Sequence, residues 1–214
     1  MTTLAAYIAR IQNSLDDTTD KYSDAVIGEA LRKVLNEYTR ANPNFKTLEH
    51  TVIAAGRVQI LSASALIAIT KLVHPYDDSI SDPFVYQRED FILQYVDGSP
   101  TLYFSGGDIP QLDEIIYIQY AAKQTITDLD SATATTVRDD HEDILVVGAA
   151  GQAAMMRASG LNEQWGGRSG EMSSLMTWGH AQYNRFIDFL TEIKQEVNID
   201  IFPDSFWQLD DWDG

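Results

Sequence analysis

Apolar residues near the start of the chain recur every three or four positions, the spacing of an amphipathic helix. The first series predicts a short helix, and after a polar break a second series predicts a longer one. Ser23 or Asp24 can cap the second helix, and Asn42-Pro43 ends it. The first helix takes its apolar face from Leu4, Ile8, Ile11 and Leu15. The second takes its face from Val26, Ile27, Ala30, Leu31, Val34, Leu35 and Tyr38.

From about Phe45 the apolar pattern changes from helical spacing to the alternation of a β-strand. Residues 45–63 predict two strands joined at Ala55-Gly56, and LIAITKLVHPY predicts a third. The stretch FILQYVDGSPTLYFS predicts a hairpin around Asp97-Gly98, and DEIIYIQYAAKQ supplies a further strand. The pattern therefore predicts about five strands between the helical parts of the chain.

The stretch RDDHEDILVVGAAGQAAMMRASG begins with acids and continues in small and apolar residues. Asp139 or Asp140 can accept hydrogen bonds from the free N–H groups of a first helical turn, where Glu142 and Asp143 also suit the helix dipole. The small and apolar residues on one side of this helix are expected to let another helix approach closely. They are Ile144, Gly148, Gly151 and Met155.

The partner expected for that side is a last, long amphipathic helix, SSLMTWGHAQYNRFIDFLTEIKQEV. Its stripe consists of Leu175, Trp178, Gln182, Phe186, Phe189 and Ile193. We therefore interpret the Gly-rich helix as a buried core helix. Its likeness to a membrane GxxxG helix is weak, because the apolar run is short and acids flank it.

Together these patterns predict an α+β protein, in which a bundle of N- and C-terminal helices carries an inserted small antiparallel sheet or sandwich. The predicted boundaries are residues 1–44 for the N-terminal helices, 45–125 for the β-rich insertion and 126–197 for the C-terminal helices. Residues 198–214 form an acidic and aromatic tail without Lys or Arg.

The chain has 214 residues, a formal net charge of −17 and no cysteine. The acidity argues against a basic DNA-binding face, and the lack of cysteine excludes disulfides and thiolate chemistry. The N-terminus lacks the basic and apolar pattern of a secretory signal, and the longest apolar runs are too short for a bilayer. Neither secretion nor a membrane partner is expected.

No motif for catalysis emerges. The four histidines do not stand at metal-binding spacing, and the paired acids, such as Asp77/Asp78, fit solvated loops and helix starts. WGGRSG follows a predicted helix and lacks the Lys of a phosphate-binding loop, and no serine lies in a G-x-S-x-G elbow. The sequence therefore predicts no enzyme, no catalytic residue, no cofactor and no metal.

The order of motifs is nevertheless distinctive. An AL-x-x-x-L-x-x-Y helix is followed by strands, by a DDHEDILVVGAAGQAAMMRA helix and by a helix with YNRFIDFL. This order resembles the head–tail connector, or neck adaptor, proteins of tailed bacteriophages. The resemblance covers about Ser23 to Leu190, and the tail after Val197 does not match the family. The positions that carry it are Ala30, Leu31, Leu35, Tyr38, Asp140, His141, Glu142, Asp143, Gly148, Ala149 and Ala150.

The resemblance implies a structural virion protein, made in the host cytoplasm and located in the neck of the particle. Such adaptors form rings, usually of twelve copies, below the portal protein, and they dock further neck or tail proteins. DNA passes through the ring without specific binding, which suits an acidic chain. The aromatic side chains of the tail are then expected to anchor in a groove of the portal or of a neighbouring copy. They are Phe202, Phe206, Trp207 and Trp212.

Three other functions remain open at this point. A head-closure or tail-completion ring protein is the nearest alternative. An acidic DNA mimic that inhibits a host enzyme fits the net charge of −17, although such mimics are usually smaller. A hydrolase with a carboxylate pair is a third class, and nothing in the spacing of the acids favours it.

Overall fold

The computed structural model describes residues 2–16, 21–63, 65–77, 79, 85–86, 90–106, 109–163 and 169–196. These residues form helices and two small antiparallel sheets, which confirms the predicted α+β class. They belong to two compact units. The first, the helical unit, draws on Met1–Asn42 and Gln124–Ile199, and the second, the β unit, draws on Pro43–Lys123.

The helical unit contains four α-helices in its described part. They are α1 (Leu4–Ser14), α2 (Asp24–Ala41), α3 (Glu142–Glu163) and α4 (Ser169–Glu196). Short 3-10 turns span Leu129–Ser131 and Asp139–His141, the second leading directly into α3.

Helix α2 confirms the helical pattern read from the sequence. The Ser23 side chain accepts a hydrogen bond from the Val26 backbone N–H at 3.4 Å, and Asn42 is the C-cap. The predicted apolar face is buried from Ile27 to Tyr38. Helix α1 buries Ile11 as expected and also Tyr7, which lay outside the predicted face.

Helices α3 and α4 approach each other through glycines. A Cβ placed on Gly148 would lie 2.7 Å from Cγ of Phe186, and one on Gly151 would lie 2.7 Å from the Gly179 carbonyl oxygen. A Cβ on Gly179 would in turn lie 2.7 Å from Cγ of Met155. Side chains at these positions would therefore force the two helices apart.

A polar segment between the β unit and α3 is ordered by threonines. The hydroxyls of Thr127 and Thr135 lie 3.1 Å apart, and Thr135 donates to the Thr2 carbonyl at 2.6 Å. Thr136 donates to Oε1 of Gln124 at 2.7 Å, and Nε2 of Gln124 donates to the Asn42 carbonyl at 2.7 Å. The sequence indicated only a polar loop here, since hydroxyl pairs of this kind depend on tertiary contacts.

The β unit contains seven strands in its described part, not the predicted five. They are β1 (Asn44–Thr51), β2 (Val58–Ile60), β3 (Leu66–Val73), β4 (Val85–Tyr86), β5 (Phe91–Val96), β6 (Ser99–Phe104) and β7 (Ile115–Ala122). One sheet has the order β1-β7-β3-β4 and the other β2-β6-β5. Strand β2 lies within the second strand predicted for residues 45–63, whereas β4, with two residues, is too short to show alternation.

The hairpin prediction was confirmed, and strands β1 and β2 also lie on either side of Ala55-Gly56 as predicted, although they do not pair with each other. Strands β5 and β6 meet at Asp97-Gly98, both with positive φ, as a tight hairpin turn requires. The strands on either side of Gly56 lie in different sheets, because β1 pairs with β7 and β2 pairs with β6. The Gln59 side chain stabilises this turn by donating to two loop carbonyls, those of Ala54 and Gly56.

Apolar residues from both sheets form one core inside the β unit. The two sheets contribute alternate positions of their strands, as the period of a half-buried strand requires. The fully buried members are Val52, Leu72, Leu102, Ile116, Ile118 and Ala122.

The close contact of α3 and α4 gives a first prediction. Replacing Gly151 by Ala should destabilise the protein by about 1–3 kcal/mol, because the new Cβ meets backbone atoms of α4 that cannot turn away. Gly160→Ala is the matched control in the same helix, since nothing lies within 4 Å of its Cβ position. That change should stabilise by about 0.5–1 kcal/mol. Urea unfolding measures both, and equal effects would contradict the close-approach explanation.

Candidate functional site

The start of α3 is the most chemically varied part of the helical unit. Nε and Nη2 of Arg138 donate to the Asp140 carboxylate, the latter at 2.6 Å, and this pairing contributes to the lowered pKa of Asp140. Arg138 is the N-cap of the 3-10 turn Asp139–His141, and its side chain makes no cap hydrogen bond. The capping expected from Asp139 or Asp140 stays a prediction. The nearby guanidinium offers a carboxylate a stronger partner than a backbone N–H.

His141 is buried in a hydrogen-bonded group rather than placed at a surface. Its Nδ1 lies 2.7 Å from the Tyr38 hydroxyl, which also accepts from Nδ2 of Asn42 at 2.7 Å. Burial raises the pKa of Tyr38, and Phe189 packs edge-on against the imidazole ring. The histidine thus connects the start of α3 to α2 and α4.

Glu142 and Asp143 both pair with one arginine of α1. Nη1 of Arg10 lies 2.8 Å from Oε2 of Glu142, and its Nη2 contacts Oδ1 of Asp143. The Glu142 side chain is only 10% exposed, whereas that of Asp143 is 94% exposed. Burial and the Glu142 charge together raise the pKa of Tyr7. The acids at the start of α3 therefore hold helices together, and the chemistry of the motif is structural.

Four of the six residues predicted for helix packing, Gly148, Gly151, Met155 and Phe186, lie at the α3–α4 contact. Gly148 and Gly151 face α4, and Met155 meets Gly179. Ile144 and Trp178 are partly buried against the core, and Phe186 is fully buried. Sequence reasoning missed Gly179, although it stands four residues after Leu175 and three before Gln182, both members of the predicted stripe.

Histidines and acids do not converge elsewhere in the described ranges. No group of three or more of them there could hold a metal ion. In the β unit, Nε2 of the buried His74 lies 2.9 Å from Oε2 of Glu114. The Gln111 backbone N–H, with His74 as a further contributor, lowers the pKa of Glu114. This pair joins the loop before β7 to the end of β3.

An exposed apolar surface on the β2-β6-β5 sheet is the strongest candidate for binding. Val58, Tyr103 and Ile92 lie side by side across the three strands, on the face opposite to the buried Leu102. Val58 and Ile92 are each 51% exposed, and Ile60, two residues along β2, is 65% exposed. We call Val58, Ile60, Ile92 and Tyr103 the apolar face. Its strands present it as a flat row, which sequence alternation could not reveal without the register.

The aromatic residues proposed to contact a partner, Phe202, Phe206, Trp207 and Trp212, lie outside the described residues.

The structure corrects the expectation that the apolar runs of the chain are too short to cross a bilayer, and the correction concerns helix α3. By length and composition alone, the helical stretch Asp139–Leu161 could cross a bilayer, although the apolar runs in the sequence looked too short. Half of its most apolar window is buried inside the protein, and Ala149, Ala150 and Ala153 are fully buried. A buried core helix meets the same criteria.

Two solved structures are similar to this chain. One is the neck of an empty GTA particle computed with C6 symmetry, at 15% identity, 67% coverage of this chain, 74% of that chain and a TM-score of 0.33. The other is the virion of a native gene transfer agent (GTA) particle, at 14% identity, 69% and 75% coverage and a TM-score of 0.33. No protein family and no curated protein matches the chain. Structural similarity this low carries no argument about function.

The half-buried ion pairs of Arg10 give a second prediction. Arg10→Ala should destabilise the protein by about 2–3 kcal/mol, because it leaves the buried Glu142 carboxylate without its cation. Arg32→Ala is the matched control: this arginine also pairs with two acids, Glu29 and Asp130, but both are more than half exposed. It should cost less than about 1 kcal/mol. Adding Glu142→Gln should recover part of the loss in Arg10→Ala, and no recovery would contradict this account.

The lowered pKa of Glu114 gives a third prediction. A carboxylate with a lowered folded-state pKa stabilises the fold above its ordinary value of 4.5, and this stability is lost as pH falls through the lowered pKa. Glu114→Gln should therefore cost about 1 kcal/mol at pH 7 and progressively less as the pH falls below 4.5. Thermal unfolding of both proteins across this pH range tests the sign. A difference that grows on acidification would refute it.

Proposed function

We propose that this protein is a structural virion component, a head-to-tail adaptor that forms a ring below the portal. The ring extends the DNA channel and docks the next neck or tail protein. The observation that carries the proposal is the apolar face, Val58, Ile60, Ile92 and Tyr103, on a chain whose formal net charge is −17. Contiguous apolar patches on a protein surface often mark a site where another protein binds.

The energy available on this face suits assembly. Full burial of one Val or Ile side chain contributes about 1.5–3 kcal/mol, so a half-exposed residue retains about 1 kcal/mol for a partner. In a closed ring, the same contact joins every pair of neighbouring copies. A copy leaves the ring only when its contacts on both sides break together, so modest contacts add up to a stable ring.

The net charge supports the channel role. Twice as many acids as bases, 32 against 15, repel DNA phosphates, so a lumen built from such chains lets DNA slide without tight binding. The same charge fits an acidic DNA mimic. That class, however, gives no account of the apolar face, since it binds basic proteins through charge.

The order of sequence motifs supports the proposal that the ring is a head-to-tail adaptor. The AL-x-x-x-L-x-x-Y and DDHEDILVVGAAGQAAMMRA helices that resemble head–tail connectors are α2 and the helix beginning at the 3-10 turn before α3. Their distinctive polar residues make structural contacts, such as Tyr38 with His141. The two similar structures are named as a neck and a virion, which agrees with the proposal but is too distant to carry it.

The first experiment is mass photometry of the purified protein, alone and mixed with a cognate portal ring. We expect a stoichiometric shift onto the portal, with about twelve copies bound per ring as the resemblance implies. Retention by a tail-side ring instead would favour a head-closure or tail-completion protein. A monomer that ignores the portal and binds a basic host protein would contradict the proposal and favour the DNA mimic.

The apolar face gives a fourth prediction. Val58→Asp with Ile92→Asp should leave the fold intact, because both side chains are half exposed, and should weaken ring formation or portal binding by about tenfold or more. Ile187→Asp is the control, an exposed apolar residue of α4 in the helical unit that is 38% exposed. Circular dichroism checks folding and mass photometry measures assembly. Unchanged assembly in the double variant would remove the apolar face from the interface.

A further inference from the structure

A second exposed apolar surface lies in the β unit, where two loops meet. The Gly56 N–H donates to the Pro110 carbonyl at 2.9 Å, which joins the loop after β1 to the segment before β7. Ile53 of the first loop is 82% exposed, and Leu112 and Ile109 of the second are 59% and 42% exposed. We call Ile53, Ile109 and Leu112 the apolar tip. Three aliphatic side chains at one place exceed the single exposed residues of an ordinary surface.

Backbone hydrogen bonds fix the conformation of the apolar tip. The Val52 N–H donates to the Glu114 carbonyl at 2.9 Å, and the Val52 carbonyl accepts from the Asp113 N–H at 3.0 Å. The next residues outward on the two loops are Ile53 and Leu112, so these bonds bring them to the same place. The tip is therefore ordered before it binds, which lowers the entropic cost of forming a contact.

Neither the apolar tip nor the apolar face carries a charged side chain. The face occupies two neighbouring rows of the β2-β6-β5 sheet, and the other members of these rows, Thr101 and Gln94, are uncharged. Asp108 and Asp113 flank residues 109–112 in the sequence, so the tip suits an uncharged surface better than an acidic one. Copies with a net charge of −17 repel each other, and they approach most easily where a charge-free face receives the tip.

The size of the two surfaces indicates a contact that acts by repetition. Each surface offers three or four apolar side chains, whereas a stable pair of proteins uses about 20–30 residues a side. One tip on one face is smaller than such an interface. A ring in which every copy makes the contact twice compensates for the small size, because each copy is held on both sides.

We propose that the apolar tip of one copy packs against the apolar face of the next copy. The inference rests on the proposed ring, and it names the contact that joins successive copies. A contact between two different surfaces leaves one of each free at the ends of a chain of copies, so the series can close into a ring. A tip-to-tip or face-to-face contact would instead stop at two copies.

Engineered cysteines test the contact, because the full chain has none of its own. One chain carries Leu112→Cys in the tip and the other Ile92→Cys in the face, and a second pair uses Ile53→Cys with Ile60→Cys. Each pair is mixed with the portal ring under mild oxidation, and a short bismaleimide extends the reach beyond that of a disulfide. We expect covalent pairs of the two chains in each mixture. Leu112→Cys with Ile187→Cys is the matched control, since Ile187 is an exposed apolar residue of α4, and it should give none.

The cross-links keep the two proposals distinguishable. Rings on the portal without any covalent bond between tip and face would overturn the contact and leave the adaptor role. Bonds between tip and face in a protein that never binds the portal would keep the contact and refute the adaptor role. Bonds formed by either cysteine variant by itself would show a tip-to-tip or face-to-face contact and would overturn the head-to-tail order.

Charges placed in the tip give a second test. Ile53→Asp with Leu112→Asp should leave the circular dichroism unchanged, because both side chains are exposed, and should weaken ring assembly by about tenfold or more. One chain with Leu112→Lys and Ile92→Asp should recover part of the assembly that either change alone removes, since opposite charges then meet at every junction. A tip variant that assembles as the unchanged chain does would overturn the proposal.

Discussion

The close approach of α3 and α4 is the constraint on which the helical unit depends. At Gly148, Gly151 and Gly179 there is no room for a Cβ, and at Gly151 and Gly179 the two helix backbones approach each other directly. That approach places the Phe186 ring over Gly148 inside the core. Dispersion contacts at this distance are individually small and collectively large, and a single methyl group at the contact disturbs many of them. The hydroxyl of Tyr183, on α4, also donates a hydrogen bond to the Glu37 carboxylate of α2 at 2.5 Å.

The polar opening of α3 completes this arrangement. Arg10 of α1 pairs with Glu142, and Tyr38 of α2 bonds to His141, so one helix start is joined to two other helices. A buried carboxylate is stable only with a partner, which makes these contacts interdependent. The acidic motif that resembles the connector family therefore serves the architecture of the unit. Its buried members, His141 and Glu142, are held by contacts within the protein.

The apolar face on the β2-β6-β5 sheet carries the functional proposal. Hydrophobic burial on this face does not by itself favour one orientation of a partner. Hydrophobic burial supplies most of the affinity in a protein interface, whereas charges favour one partner and one orientation over others. A ring whose copies must bind one another in one orientation needs both hydrophobic burial and charge.

The sequence by itself determined the class of fold and most of the helices. The periods of apolar residues and the Ser23 cap are local signals, so α2 and the Asp97-Gly98 hairpin were predictable. Only the tertiary structure decided which strands pair, because strands on either side of Gly56 join different sheets through partners distant in sequence. It likewise placed the Arg138 guanidinium beside the Asp140 carboxylate and Gly179 opposite Gly151.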